Sequence, residues 1–133
     1  MDRYAQLKED FSKAKERLQA ALKEAHNHKH SELFEYFRDS AIQRFEFTFE
    51  IFWKVIKFYL KELHGVECYS PKSCLRELFT VGIANQEETY QLLQMVDWRN
   101  LTVHTYKEAL SEEIFEKIPS FLYLMNSIFE RLP

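Results

Sequence analysis

Residues 99–106 read Arg99-Asn100-Leu101-Thr102-Val103-His104-Thr105-Tyr106. A permanent cation, an amide, an imidazole and a phenol fall within about two turns of a helix. Such a set is costly to bury without partners. It is also a set that can hold a phosphate and move a proton. Arg99 keeps its charge at every relevant pH and can fork two phosphate oxygens. His104 is of the residue type that ordinarily changes protonation between pH 5 and 8, so it can serve as general base or acid. Asn100 can orient the imidazole or donate to an oxyanion. The chemistry that fits is phosphodiester cleavage. On RNA it calls for no cofactor and no metal, because the 2′-hydroxyl is itself the nucleophile.

The spacing sets how these groups could meet. On a helix, Asn100 and His104 stack on one stripe, with Asp97 one turn earlier. Arg99 and Tyr106 share the adjacent stripe. Arg99 and His104 are about 140° apart around the axis, so their side chains must converge over a groove beside the helix. Spacing alone leaves a second reading open: an Arg–Asp surface pair with a histidine capping a helix end.

The elements that must carry the octet are helical. Tyr4, Leu7, Phe11, Ala14, Leu18, Leu22 and Ala25 form one narrow apolar stripe. His26-Asn27-His28-Lys29-His30 interrupts it, and Ser31 is placed to cap a second helix that stops at Gly65. That helix carries Ile42, Phe45, Phe49, Phe52, Trp53, Ile56 and Leu60 on one face, and Phe37, Phe47, Phe58 and Tyr59 on others. A helix apolar on more than one side is buried on more than one side, which suggests a subunit interface. Ser70-Pro71 opens a short helix that ends by Gly82. Asn85 and Glu88 form a capping-box-like start for the helix bearing Leu92, Met95, Val96, Arg99, Val103 and Tyr106. Ser111 opens the last helix, which Pro119 should kink or divide near Lys117. Four main helices and one short one predict an all-α, antiparallel, up-and-down four-helix bundle occupying residues 1–133 as one domain.

Composition agrees. Only two Gly and three Pro are present among 133 residues, too few for the turns of an all-β protein, while twelve Phe argue against disorder. The net charge of −3 excludes a bulk nucleic-acid binder, so no DNA partner is expected and any RNA contact must be local or shared with a partner. No run of about 20 apolar residues predicts a membrane span, and residues 1–10 lack a signal core. Cys68 and Cys74 read as reduced structural or surface thiols suited to a reducing, cytoplasmic setting, with a redox pair as the lesser reading. His26, His28 and His30 read as a solvated linker rather than a metal site. Trp53 and Trp98 read as packing residues, and Met95 and Met125 as ordinary core.

Four segments, one of them containing the octet, add a resemblance. Arg38-Asp39-Ser40-Ala41-Ile42-Gln43-Arg44-Phe45-Glu46-Phe47-Thr48-Phe49-Glu50, running on to Trp53-Lys54, resembles the nucleotidyltransferase substrate-binding proteins. Ser70-Pro71 with its short helix, Asp97 to Tyr106, and Ile114 to Phe121 fit the same pattern, so the likeness spans roughly residues 4 to 130. The family lies in the HEPN superfamily of helical-bundle dimers and is similar to HepT toxins, which are encoded beside MntA-like nucleotidyltransferases. The resemblance implies a homodimer, a cognate small nucleotidyltransferase, and RNA or a nucleotide as substrate. It implies metal-independent endoribonuclease roles for Arg99, Asn100 and His104, and AMP addition at Tyr106. Ser40 and Val103 depart from the family pattern without removing a chemical group. The charged residues of the second helix stay open. Glu46 and Glu50 can pair with Arg99 or Arg44, or Arg44, Glu46 and Asp97 can line the cleft. The alternative function is a non-catalytic module that binds nucleotide for a separate nucleotidyltransferase; a purely structural bundle is the weakest reading.

Overall fold

The computed structural model describes residues 2–133. Five α-helices follow in order: α1 (Arg3–Asn27), α2 (Phe34–His64), α3 (Pro71–Thr80), α4 (Gln86–Asn100) and α5 (Glu108–Glu130). One 3-10 turn, Leu101–His104, separates α4 from α5. Side-chain pairs give the directions. Phe11 meets Phe52 and Tyr4 meets Phe58, so α1 and α2 run antiparallel. Glu88 meets Arg131 while Trp98 meets Lys117, so α4 and α5 are antiparallel as well. Phe34 meets Phe115 and Phe45 meets Phe121, so α2 and α5 are parallel. The result is an up-down-up-down bundle with α3 as the extra short helix. Its core is filled by Phe11, Phe45, Phe49, Phe52, Leu92, Met95, Ile114 and Met125, among others. The C-terminus of α4, the start of α5 and the start of α2 meet at one end of the bundle.

The caps explain most of the boundaries. Ser70 and Ser73 exchange hydrogen bonds at the start of α3, and Asn85 and Glu88 do so at the start of α4. Gly65 ends α2 at φ 65°, in the left-handed region where a side chain is strained. Other boundaries depart from expectation. Ser31 does not cap α2. Its Oγ accepts from Leu33 N at 3.0 Å inside a pair of turns, and the helix begins at Phe34. Ser111 does not open α5, which starts a turn earlier; the buried Ser111 hydroxyl instead donates to Thr105 O at 2.8 Å. Pro119 does not divide α5. It lies on the exposed side, and Ser120 Oγ donates to Lys117 O at 2.8 Å within the interrupted turn.

The extra apolar faces of α2 are largely used within the chain. Tyr59 is buried, Phe58 stacks on Tyr4 at 6.0 Å, and Phe37 stacks on His28 at 4.0 Å. Phe47 and Tyr36 remain exposed. His26 and Asn27 belong to α1 rather than to a linker.

Cys68 and Cys74 are joined in a disulfide and are not free thiols. The loop after Gly65 folds back onto α3 and brings the two Cα atoms to 5.3 Å with both residues buried. The pairing removes the free-thiol argument for a reducing compartment. Closing so short a loop should contribute about 2 kcal/mol. Dithiothreitol is therefore expected to lower the unfolding free energy by that amount and release two thiols, which urea titration and thiol counting of the unfolded chain would check.

Far from the octet, Glu88 ties α4 to α5. Its carboxylate accepts from Arg131 Nη1 at 2.8 Å and Nη2 at 2.6 Å, and from Asn85 N at 3.0 Å. Hydrogen bonds from Arg131, then from Asn85, lower its pKa from an ordinary 4.5 to about 2. A carboxylate depressed in the folded state stabilises it above the unfolded pKa, and that contribution fades as pH falls toward the folded value. The midpoint of unfolding should thus drop between about pH 4.5 and 2, and Glu88→Gln should flatten that slope in a denaturation series across acid pH.

Candidate functional site

Five residues form the frame that presents the octet. At Asn100 the α-helix ends and tightens into the 3-10 turn. The turn is held from below by Thr102, which is buried. Its hydroxyl proton faces two acceptors, Arg99 O at 2.7 Å and Glu46 Oε2 at 2.9 Å. Ser111 then reaches back from α5 to the Thr105 carbonyl. At the start of α5, Glu108 receives both guanidinium nitrogens Nη1 and Nη2 of Arg38, the latter at 3.1 Å. Arg38 is buried along its whole side chain and donates through Nε to Asp39 at 3.1 Å. The hydrogen bonds from Arg38 hold the Glu108 carboxyl below the usual carboxylate range. The frame therefore clamps residues 101–108 from α2 on one side and α5 on the other.

Arg38→Ala removes the contact from α2 to Glu108, while the Glu46–Thr102 and Ser111–Thr105 contacts and the apolar core stay in place. Charge-assisted hydrogen bonds of this kind suggest a loss of about 2 kcal/mol. Urea unfolding should show a lower midpoint at unchanged slope, with faster amide exchange confined to residues 101–108.

The 3-10 turn changes which groups emerge. Helical spacing places Val103 and Tyr106 on the same apolar face as Leu92 and Met95, yet they are 65% and 76% exposed. A 3-10 turn advances about 120° per residue rather than 100°, so the stripe drawn from α-helical spacing stops at Asn100. His104 is exposed, and its Nδ1 lies 3.3 Å from the Tyr106 hydroxyl with the rings edge-on at 5.8 Å. Whether that nitrogen donates or accepts depends on the tautomer. Lys107 Nζ sits over the Tyr106 ring at 5.9 Å. Arg99 is half-buried, and neither its guanidinium nor the Asn100 amide is hydrogen-bonded or ion-paired among the described residues.

The remaining candidates separate. Asp97 does not pair with Arg99: it binds Lys72 of α3 at 2.7 Å. Glu46 joins the octet, as the acceptor for Thr102 and not as the partner of an arginine. It also lines a shallow hollow of about 400 Å³ with Tyr36, Ser40, Gln43 and Thr105. Arg44 lies elsewhere, in a groove against α1, with its guanidinium 6.0 Å from the Phe47 ring. Trp98 is half-buried under Lys117 Nζ at 4.7 Å. No group of three or more His, Cys, Asp or Glu among the described residues is arranged to hold a metal. No described helix is long and apolar enough to cross a membrane.

Sequence reasoning assigns no positioning role to Thr102, Ser111 or the Arg38–Glu108 pair. The available signal was a small hydroxyl residue in each of two apolar contexts, and a cation amid aromatics. The partners of Thr102 and Arg38 lie 56 and 70 residues away in the chain.

Comparison with known proteins bears on the arrangement. A curated relative, the probable ribonuclease HepT of Haemophilus influenzae, is 29% identical over 96 residues, which cover 69% of this chain and 64% of that protein. The chain thus spans under two thirds of the length of that relative. A crystal structure from Thermus thermophilus is 42% identical, covers 86% of this chain and 97% of its own, and superposes with a TM-score of 0.72. A Shewanella oneidensis HEPN toxin, solved tri-AMPylated in complex with its MNT antitoxin, shares the fold at 16% identity and a TM-score of 0.77, over 98% of this chain and 97% of its own. The family model described as nucleotidyltransferase substrate binding protein like matches residues 6–133. With nearly its whole length matched by that model, the chain belongs to the nucleotidyltransferase substrate binding protein-like family.

Proposed function

We propose that this chain is the HEPN subunit of a two-component nucleotidyltransferase system and cleaves RNA without metal through Arg99 and His104. One observation carries the reading. The ordinary explanation of the octet requires Arg99 to pair with Asp97 and His104 to cap a helix, and neither occurs. Asp97 is taken by Lys72, and the His104 ring turns to Tyr106 at the surface. The guanidinium, the amide and the imidazole Nε2 are left free for an external ligand, on a turn that α2 and α5 clamp.

In the proposed step, His104 Nε2 takes the proton of the RNA 2′-hydroxyl. The 2′-oxygen attacks the adjacent phosphorus, and the bond to the 5′-oxygen breaks. That oxygen takes a proton from water as it leaves, and the imidazolium returns its own proton to the solvent, giving a 2′,3′-cyclic phosphate and a 5′-hydroxyl. Arg99 balances the charge that grows on the phosphoryl oxygens, with Asn100 in support. The productive tautomer has Nδ1–H donating to Tyr106 Oη, which leaves Nε2 as the base. A homodimer would place two octets in one cleft, with the exposed Leu101 and Val103 covered by the second copy.

Tyr106 is the proposed site of control. Its phenol is exposed and lies beside the imidazole. A cognate nucleotidyltransferase would join the phenolic oxygen to the α-phosphorus of ATP and release pyrophosphate. The AMP so attached would sit where the RNA phosphate must bind. Support comes from the Shewanella complex, an AMPylated toxin held by its antitoxin. A second reading, a nucleotide-binding module without nuclease activity, is favoured by the family description. Purified chain incubated with total tRNA in chelator separates the two. Cleavage supports the nuclease, and nucleotide binding without cleavage supports the module.

A further inference from the structure

The α1–α2 face carries an uneven share of charge that the octet does not use. Two hollows lie along the same helix pair. The first, about 340 Å³, is lined by three cations and one acid, with Phe47 and Ile51 between them. The second, about 260 Å³, is lined by four cations and one acid, with Phe58 between them. This occurs on a chain whose net charge is −3. Elsewhere cations are spent on carboxylates: Arg38 on Glu108, Lys72 on Asp97, Arg131 on Glu88. In the groove, Arg3, Arg17, Arg44, Lys54, Lys57 and Lys61 form no ion pair among the described residues.

The geometry is that of a track. Arg44 and Lys61 are 17 residues apart on one helix, about 25 Å at 1.5 Å per residue. Arg17 lies across from Arg44. The aromatic side chains are interleaved with the cations, and Phe47 is 49% exposed. The track also reaches the octet. Gln43 and Phe47 are one turn apart on α2; Gln43 lines the hollow beside Thr105, and Phe47 lines the groove. A positive groove with stacking platforms is the form that fits a single-stranded nucleic acid, whose phosphates follow the cations while its bases lie on aromatic rings.

We propose that the α1–α2 groove is a docking track for single-stranded RNA, leading the strand to the octet end of the bundle. The choice of RNA rests on the nuclease reading above; the choice of a single-stranded polyanion rests on the groove itself. The six unpaired cations give an expected salt slope of about −4, at roughly −0.7 per phosphate.

The test uses the full chain in a His104→Ala background, so that the probe is not cut. Anisotropy of a labelled oligouridine is followed from 50 to 300 mM KCl for that parent, for added R44A/K54A/K61A, for added F47A, and for added K23A/K29A/R76A as a charge-matched control. The groove triple should bind at least about tenfold more weakly at 100 mM salt, with a slope shallower by about 2. F47A should weaken binding about fivefold or more at unchanged slope. The control should bind like the parent. Equal loss in both triples, or none in the groove triple, would overturn the track. Unchanged RNA binding with lost polyglutamate binding would overturn it in favour of an acidic protein partner. Groove-dependent binding by a chain that cuts no RNA keeps the track and removes the nuclease. Cleavage by the native chain with an unaffected groove triple does the reverse.

Discussion

His104→Ala and Arg99→Ala are each expected to lower metal-independent RNA cleavage by at least about a hundredfold, with the fold intact. The two losses have different origins. Without His104 no group at the turn can take the 2′-hydroxyl proton, and general-base catalysis is typically worth about 10²–10⁴ in rate. Without Arg99 the charge developing on the phosphate loses its fixed counter-charge, a contribution of similar size. Neither side chain supports the bundle. His104 is exposed, and Arg99 makes no ion pair with the protein among the described residues. Thermal midpoints should therefore stay within a few degrees of the parent, since surface changes away from packed features cost under about 0.5 kcal/mol. Single-turnover cleavage of labelled tRNA, beside a melting curve, checks both halves. Arg99→Lys sharpens the point. It keeps the charge but loses the two-pronged geometry, so it should recover only part of the activity.

Tyr106→Phe should abolish nucleotide transfer from ATP to this chain while leaving RNA cleavage within about fivefold. The transfer needs a phenolic oxygen as nucleophile, and the variant lacks that one atom. Cleavage needs only that the imidazole stay oriented, and the lost contact is long, at 3.3 Å, and exposed. The measurement is incorporation of labelled AMP after incubation with the cognate nucleotidyltransferase, with intact-mass analysis. Label on the variant at the native level would remove Tyr106 from the scheme. A chain bearing AMP at Tyr106 should also cleave poorly, because the added phosphate occupies the space beside the His104 imidazole.

The sequence carried the fold further than it carried the site. Four long helices and a short one, the boxes at Ser70 and Asn85, and the stop at Gly65 follow from local chemistry, because caps act within a few residues. Ser31 and Ser111 mislead for the same reason. A serine before an apolar run is a cap by default, but Ser31 serves a turn, and Ser111 is buried to hold Thr105. The disulfide depends on a loop folding back, which two isolated cysteines do not reveal. At the site, the residue types were legible but their arrangement was not. Helical spacing does not extend past Asn100, because the chain tightens there as Thr102 is drawn down to Glu46 and Glu108 to Arg38. Both partners sit on α2, so the geometry of the octet is decided by a helix more than fifty residues upstream.

The most direct measurement is the chemistry of the RNA ends. Native chain is incubated with labelled tRNA in excess EDTA, and the fragments are tested for 2′,3′-cyclic phosphate and 5′-hydroxyl termini. Catalysis by Arg99 and His104 gives both termini in the presence of chelator and neither in the His104→Ala variant. Intact tRNA, fragments bearing 5′-phosphates, or undiminished cleavage by His104→Ala would contradict it.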